Sequence, residues 1–300
     1  MNPHRIGQVT IVPVVECSGV AVEADWLLAG ATREAIAAEA HWMGPRAIEA
    51  STGRLAFDIQ SLVVRTEQHT MLVDTCCGNG RFRGEGSPFH MLDTAYLERL
   101  EAAGVDPNSV DFVMCTHLHA DHVGWNMRQD GGRWRPTFPN ARYVIARDEL
   151  AFWRDAMPRG FGSVGTRTAY TECVEPLVAD GRALELEPGE RLGHALDDVV
   201  AIEEMGGHTP GHIGLHVRSE GAHALLTGDV LHHPVQCARP DWGSPADVEP
   251  ARALATRRRL IDTYADTSTL IVPAHFGAGH LVRHGSAARF RFASAELDRA

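Results

Sequence analysis

The stretch Thr116-His117-Leu118-His119-Ala120-Asp121-His122, "THLHADH", sets three imidazoles and a carboxylate side by side. A surface loop gains nothing obvious from that crowding, and a packed core is weakened by polar groups it cannot satisfy. The apolar run "DFVMCT" at 111–116 leads into it, so the cluster stands just past a strand. Three more strand-like runs also end on a potential metal ligand. "VVAIEEM" at 199–205 passes through two glycines to His208 in "GGHTPGH", "ALLTG" ends at Asp229, and "TLIVPA" ends at His275. Groups placed beyond strand ends sit on a rigid frame, and several strand ends converge at one edge of a layered fold.

Five imidazoles and two carboxylates exceed the four ligands that saturate a tetrahedral zinc, and they suit two ions sharing a bridge. The expected division puts His117, His119 and His208 on one ion and Asp121, His122 and His275 on the other. Asp229 stands between them, since a carboxylate has two oxygens and an imidazole one lone pair. Paired ions of this kind lie about 3.5–4 Å apart and hold a hydroxide between them at neutral pH. Two divalent ions less Asp121, Asp229 and one hydroxide leave a surplus positive charge, which favours a developing oxyanion. Zinc is the expected metal; manganese, cobalt and iron suit the same donors. Isolated histidines such as His69 and His216 read instead as satisfied or exposed side chains.

The rest of the 300-residue chain is ordinary for a globular protein, with 44% hydrophobic and 22% charged residues. The net charge of -11 is spread along the chain and argues against nucleic acid, which demands clustered cations. Arg257-Arg258-Arg259 reads as a solvated helix face. No signal peptide and no membrane span is visible, and the six cysteines show no C-x-x-C pair, so a cytoplasmic protein with reduced thiols is expected.

Further strand-like runs lie at 8–15, 61–66, 70–75, 141–146, 213–218 and 223–229. "DTAYLERLEAAG", "RDELAFWRDAM" and "EPARALATRRRLIDTY" read as helices, and 30–50 as another, broken at Gly44-Pro45. No linker divides the chain, so one α/β domain over 1–300 is expected, with an N-terminal helical segment at 20–50. That segment is a candidate for capping the pocket or meeting a second subunit, which leaves a homodimer open. The Gly-rich stretch 77–88 reads as a mobile loop; it lacks the P-loop pattern for nucleotide.

The motifs "VDTCCGN", "CTHLHADHVGWN", "GGHTPGH", "TGDV" and "PAHF", over about residues 55–280, resemble the metallo-β-lactamase fold superfamily. The resemblance implies an αββα sandwich, two mixed sheets flanked by helices, with a binuclear site at one edge. It also implies that Asp74 orients the ligands from behind. Within the superfamily the chain is most similar to the N-acyl-homoserine lactonase and methyl-parathion-hydrolase branch. Lactonases of that branch often carry a tyrosine three residues after the bridging aspartate; here His232 stands there, followed by His233. His232 is therefore a candidate hydrogen-bond donor to the substrate oxygen. Trp125, Phe276, Phe82, Phe89 and Met91 are candidates for an apolar pocket wall or lid.

The expected activity is hydrolysis of a lactone or ester in a small molecule with an apolar portion, through a bridging hydroxide. Asp121 would pass the proton to the leaving oxygen and His232 would assist at the carbonyl. Phosphotriester, thioester and β-lactam cleavage use the same chemistry and stand as alternatives. A persulfide dioxygenase with one iron is the alternative from another class. The diiron flavoproteins of the superfamily usually have glutamate where this chain has His119.

Overall fold

A strand that is apolar on both faces needs cover on both sides, and the central strands of this chain are of that kind. The computed structural model describes residues 3–44, 46–285 and 287–293; Pro45, half of the expected helix break, lies outside them. The chain opens with β1 (His4–Ile6), β2 (Val9–Val22), α1 (Ala24–Leu27) and α2 (Arg33–Glu39), followed by β3 (Leu55–Arg65) and β4 (Thr70–Val73). After α3 (Tyr96–Ala102) come β5 (Phe112–Met114), α4 (Ala120–Val123) and a hairpin of β6 (Met127–Asp130) and β7 (Arg133–Pro136). Next are β8 (Arg142–Ala146), α5 (Arg147–Ala156), α6 (Val164–Cys173), α7 (Glu175–Ala179) and β9 (Ala183–Leu186). The rest comprises β10 (Val200–Glu204), β11 (Ile213–Ser219), β12 (Ala222–Gly228), α8 (Pro250–Tyr264), β13 (Leu270–Pro273), β14 (Gly279–His284) and β15 (Ala287–Phe292).

One sheet has the order β1-β2-β3-β4-β5-β8-β9, the other β10-β11-β12-β13-β14-β15. The first is antiparallel up to β4 and parallel beyond it; in the second, β12 and β13 run parallel. Period-two alternation then sorts the side chains into layers. Met71, Met114, Leu215, Leu226 and Val272 meet between the sheets. Leu72 and Val113 turn outward onto Tyr96, Leu100, Leu150 and Trp153 of the helices. On the far side Leu225 and Ile271 pack against Leu260 and Ile261 of α8. This is the expected αββα sandwich. No helix among the described residues is long and apolar enough to cross a membrane.

Three local expectations need correction. β3 begins at Leu55 rather than 61, because Asp58 and Gln60 interrupt its apolar pattern while being buried and bonded. Gln60 donates to the carbonyls of Pro273 and Phe276, both at 3.3 Å, tying the two sheets together near His275. Arg257 is not solvated: it is buried, donating to the carbonyls of Val230 (3.0 Å) and Pro240 (2.7 Å), while Arg258 and Arg259 are exposed. The Gly-rich stretch 77–88 is fastened by two buried arginines. Arg81 donates to the carbonyls of Gly124 and Met127, and Arg83 to that of Cys77 and to Thr168.

The outer face of the second sheet also carries a polar cluster. His216 and His223 stack with ring centroids 5.1 Å apart, and Glu203 takes the Nε2 of His216 at 2.6 Å. Burial, then the charges of Arg218 and His216, push His223 down to about 4. The unfolded ring titrates near 6.5, so between these values the unfolded chain binds more protons and stability rises with pH. Thermal midpoints should therefore fall as pH drops from about 6.5 to 5, and His223→Gln should flatten that slope. Identical slopes for the two proteins would rule the contribution out.

Candidate metal centre

Past Met114 the chain turns through Thr116 and His117 into the short helix α4, with His119 as its N-terminal flank and Asp121 and His122 in its single turn. Asp74, just past β4, fixes that turn. Its carboxylate accepts from the Thr116 N–H (2.8 Å) and hydroxyl (2.9 Å), and from Nδ1 of His122 (2.9 Å). To reach them Asp74 adopts a φ of +60°, which costs a non-glycine residue about 1 kcal/mol or more.

These bonds fix where the protons lie. The Thr116 hydroxyl spends its hydrogen on Asp74, so it accepts from Nδ1 of His117 (3.1 Å) and leaves Nε2 of His117 as a bare lone pair. His208 donates Nδ1–H to Asp247 at 2.8 Å, and His275 donates Nδ1–H to the carbonyl of Asp58 at 3.0 Å. Four imidazoles thus commit Nδ1 to a fixed partner and turn Nε2 toward one point. The Nε2 atoms of His117 and His208 both lie against Nδ1 of His119, at 3.0 and 2.9 Å, although that nitrogen carries at most one proton.

Asp229 stands among them. It follows a register shift at the end of β12, and its N–H donates to Nε2 of His212 at 3.0 Å. Its Oδ2 lies 3.3 Å from Nε2 of His122 and 3.4 Å from that of His208, and its Oδ1 lies 3.1 Å from Nε2 of His275. The ligand atoms of His117, His119 and His208 fall within 4.8 Å of one another, as do those of Asp121, His122 and His275. Asp229 joins His117 and His122 in a third such set, and His208 and His232 in a fourth. All seven side chains singled out in the sequence are brought together.

This donor set fits divalent cations. Buried lone pairs facing carboxylates repel unless a positive charge lies between them. Nε2 of His122 and Oδ1 of Asp229 are buried with no hydrogen-bond partner. The titration directions show the same demand for positive charge beside the carboxylates. Burial opposes charge on His122 and His275, yet the carboxylates, led by Asp229, raise both rings above the usual range. Burial and neighbouring imidazoles push His117 and His119 well below it. Burial would raise Asp229, but the rings of His122 and His275 hold it well below the carboxylate range.

The family model described as the metallo-beta-lactamase superfamily matches residues 55–275, more than half of the chain. The chain belongs to the metallo-β-lactamase superfamily. It is accordingly an enzyme of a hydrolase class whose members bind divalent metals. N-acyl homoserine lactonase AiiB of Agrobacterium fabrum (strain C58 / ATCC 33970) is 23% identical over 246 residues, covering 78% of this chain and 79% of that protein. Two solved structures share the fold. The hydrolase AbOPH has a TM-score of 0.78 at 22% identity, with 97% of this chain and 96% of that one covered. AidC, a dizinc quorum-quenching lactonase in complex with its product, has a TM-score of 0.77 at 19% identity, with 98% and 97% covered.

In this superfamily member the two histidines after Asp229 part company. Nε2 of His232 lies 3.2 Å from Oδ2 of Asp229, and its ring stacks on that of His275 at 5.6 Å. His233 turns away, its Nε2 meeting the carbonyl of Ala47 at 2.8 Å, and burial lowers it to about 4. Trp125 is not pocket wall: it is buried, stacked on Tyr96, with Nε1 on Glu16. Phe276 packs on Phe290 and also lines a recess of about 430 Å³, open mouth included, beside His275. Phe82 and Met91 are 47% and 54% exposed on the 77–92 stretch.

Sequence reasoning offered Phe89 and the 20–50 segment as cover for the pocket but missed Phe57, which joins them beside His275. Phe57 meets the edge of His275 at 5.5 Å and carries Trp26 stacked on its other side at 6.3 Å, with Phe89 edge-on at 6.5 Å. Asp247 and the Asp58 carbonyl, which hold His208 and His275, sit in stretches with no motif of their own. A ligand present at a thousand times its Kd adds about 4 kcal/mol of stability, or roughly 6 °C for 300 residues. Chelator-stripped protein should unfold about that much lower and recover with zinc. An unchanged midpoint, with metal removal verified, would count against the centre.

Proposed function

We propose that this enzyme hydrolyses a lactone or ester whose acyl part is apolar, at a centre of two divalent ions, with zinc as the expected metal. The carrying observation is the set of imidazole Nε2 atoms, from His117, His122, His208 and His275, converging on Asp229. His117, His119 and His208 would hold one ion, Asp121, His122 and His275 the other, with Asp229 shared. Such ions supply a Lewis acid for the carbonyl oxygen and a water acidified to a pKa of about 7 as nucleophile. The named activity of the Agrobacterium relative supports a lactone as the bond cleaved.

The chain's own residues do the rest. His232, whose ring stacks on His275 and whose Nδ1 has no hydrogen-bond partner, would donate a hydrogen bond to the substrate oxygen as charge builds on it. Asp121, with 17% of its side chain exposed beside His122 and His275, hands a proton to the leaving alkoxide. Water adds across the acyl C–O bond, giving a hydroxy acid from a lactone. Trp26, Phe57 and Phe89 form an apolar flank next to His275 that shelters the acyl chain and excludes water from the carbonyl. The six cysteines are free in the structure, which suits a reducing compartment, and we place the enzyme in the cytoplasm.

The test is kcat/KM of metal-replete protein on four substrates: an acylated lactone, a phosphotriester, a thioester and a β-lactam. The lactone should be preferred, and lengthening its acyl chain should lower KM. Asp229→Ala should cost more than about 100-fold in kcat/KM, since removing groups that merely orient metal ligands already costs 10–100-fold. A preference for the phosphotriester, or an Asp229→Ala variant of normal activity, overturns the proposal.

A further inference from the structure

Glu149 is a buried carboxylate, 1% exposed, in the first turn of α5, and nothing in the reaction described above employs it. It faces the backbone N–H groups of Leu118 and Gly211, the indole N–H of Trp153 and the hydroxyl of Thr209, and no cation. Oε1 accepts from the N–H of Leu118 at 3.0 Å and from Nε1 of Trp153 at 2.8 Å; Oε2 accepts from the N–H of Gly211 at 3.1 Å. Leu118 lies between His117 and His119. Gly211 lies three residues past His208, and a Cβ there would collide with the backbone of Glu149, so the loop must pass against α5. Trp153, one turn further on, presents its ring to His119, with centroids 5.8 Å apart.

The two loops that carry His117, His119 and His208 come from different sheets, after β5 and after β10, and these bonds tie both to one helix. Only an acceptor on both oxygens satisfies the three N–H donors, which is what an ionised carboxylate offers. Burial raises its pKa, and the donors oppose that rise. We propose that Glu149 is a positioning residue which, through the peptide N–H groups of Leu118 and Gly211, sets the spacing of His117, His119 and His208 for metal binding. The other three terminal ligands, Asp121, His122 and His275, receive no bond from it. The inference rests on the metal reading of the site and is independent of the substrate.

Glu149→Gln is close in volume but must turn an NH₂ group toward one donor, releasing one of the two loops. Cobalt(II) would be titrated into chelator-stripped wild-type and variant proteins, reading visible absorption and bound metal, with thermal unfolding of both metal-free proteins alongside. The wild type should take up two ions. The variant should bind one of them about 10–100-fold more weakly, with the bands of that ion altered. The second ion's affinity should stay within about threefold and the metal-free midpoint should hold. Equal affinities for both ions, or equal weakening of both alongside a lowered midpoint, overturns the assignment.

If Glu149→Gln does not fold, Glu149→Asp, one methylene shorter and still charged, serves in its place. Selective weakening of one ion supports the proposal, and wild-type binding of both overturns it. Wild-type protein that binds no cobalt overturns the metal reading itself. Two ions bound without lactone turnover would overturn only the substrate assignment.

Discussion

The centre depends on what holds each imidazole from behind. A histidine with one N–H committed elsewhere has a single lone pair left and one direction in which to offer it. Asp74 commits His122 directly and His117 through Thr116, Asp247 commits His208, and the Asp58 carbonyl commits His275. Without these bonds the same rings would hydrogen-bond to one another and to Asp229, and the cluster would be a proton network rather than a cation site. The fold is arranged to supply those partners. Asp74 and Asp58 belong to the first sheet and Asp247 to the connection before α8, so three separate segments orient ligands carried by others.

The site stands at a strand edge for the same reason. Inside either sheet the backbone is fully occupied by ladder bonds and alternates strictly, leaving no freedom to turn several polar groups one way. Just past the strands that freedom exists, and the structure uses it where it is costly. Asp74 and Cys76 take positive φ within three residues of each other. Gly124 lies so close to the carbonyl of Cys77 that any Cβ would overlap it. The strain is sustained by the layers beneath, where Val73, Met114 and Leu226 are buried between the sheets.

Legibility in the sequence followed physical type. The strands ending at His117, His208, Asp229 and His275 announced themselves because an apolar run broke abruptly on a ligand-type residue. β3 was half hidden because Asp58 and Gln60 look like turn or surface residues until their buried partners are seen. Arg257 read as part of a solvated face and Arg81 and Arg83 as part of a mobile loop, yet each donates to backbone carbonyls in the interior, an arrangement with no periodic signature. Asp247 and Glu149 were illegible for a related reason: each acts across a tertiary contact, on His208 from 39 positions away and on Leu118 from 31. Of the aromatic flank, Phe57 was missed because it lies inside a strand and meets Trp26 and Phe89 only in the fold.

The burial pattern gives the centre a direction. His117, His122, His208, Asp229 and His275 are buried, whereas His119 and Asp121 are only partly so. The cluster is therefore open to solvent on the side of His119 and Asp121. Asp121 is the carboxylate on that side, in reach of solvent, while Asp229 lies sealed at the back with its lone pairs facing imidazoles. Asp229 carries a buried charge that only the surrounding rings, or a cation among them, can offset. Two aspartates among the same histidines are therefore not interchangeable: one side chain is reached by water and the other is enclosed by the rings.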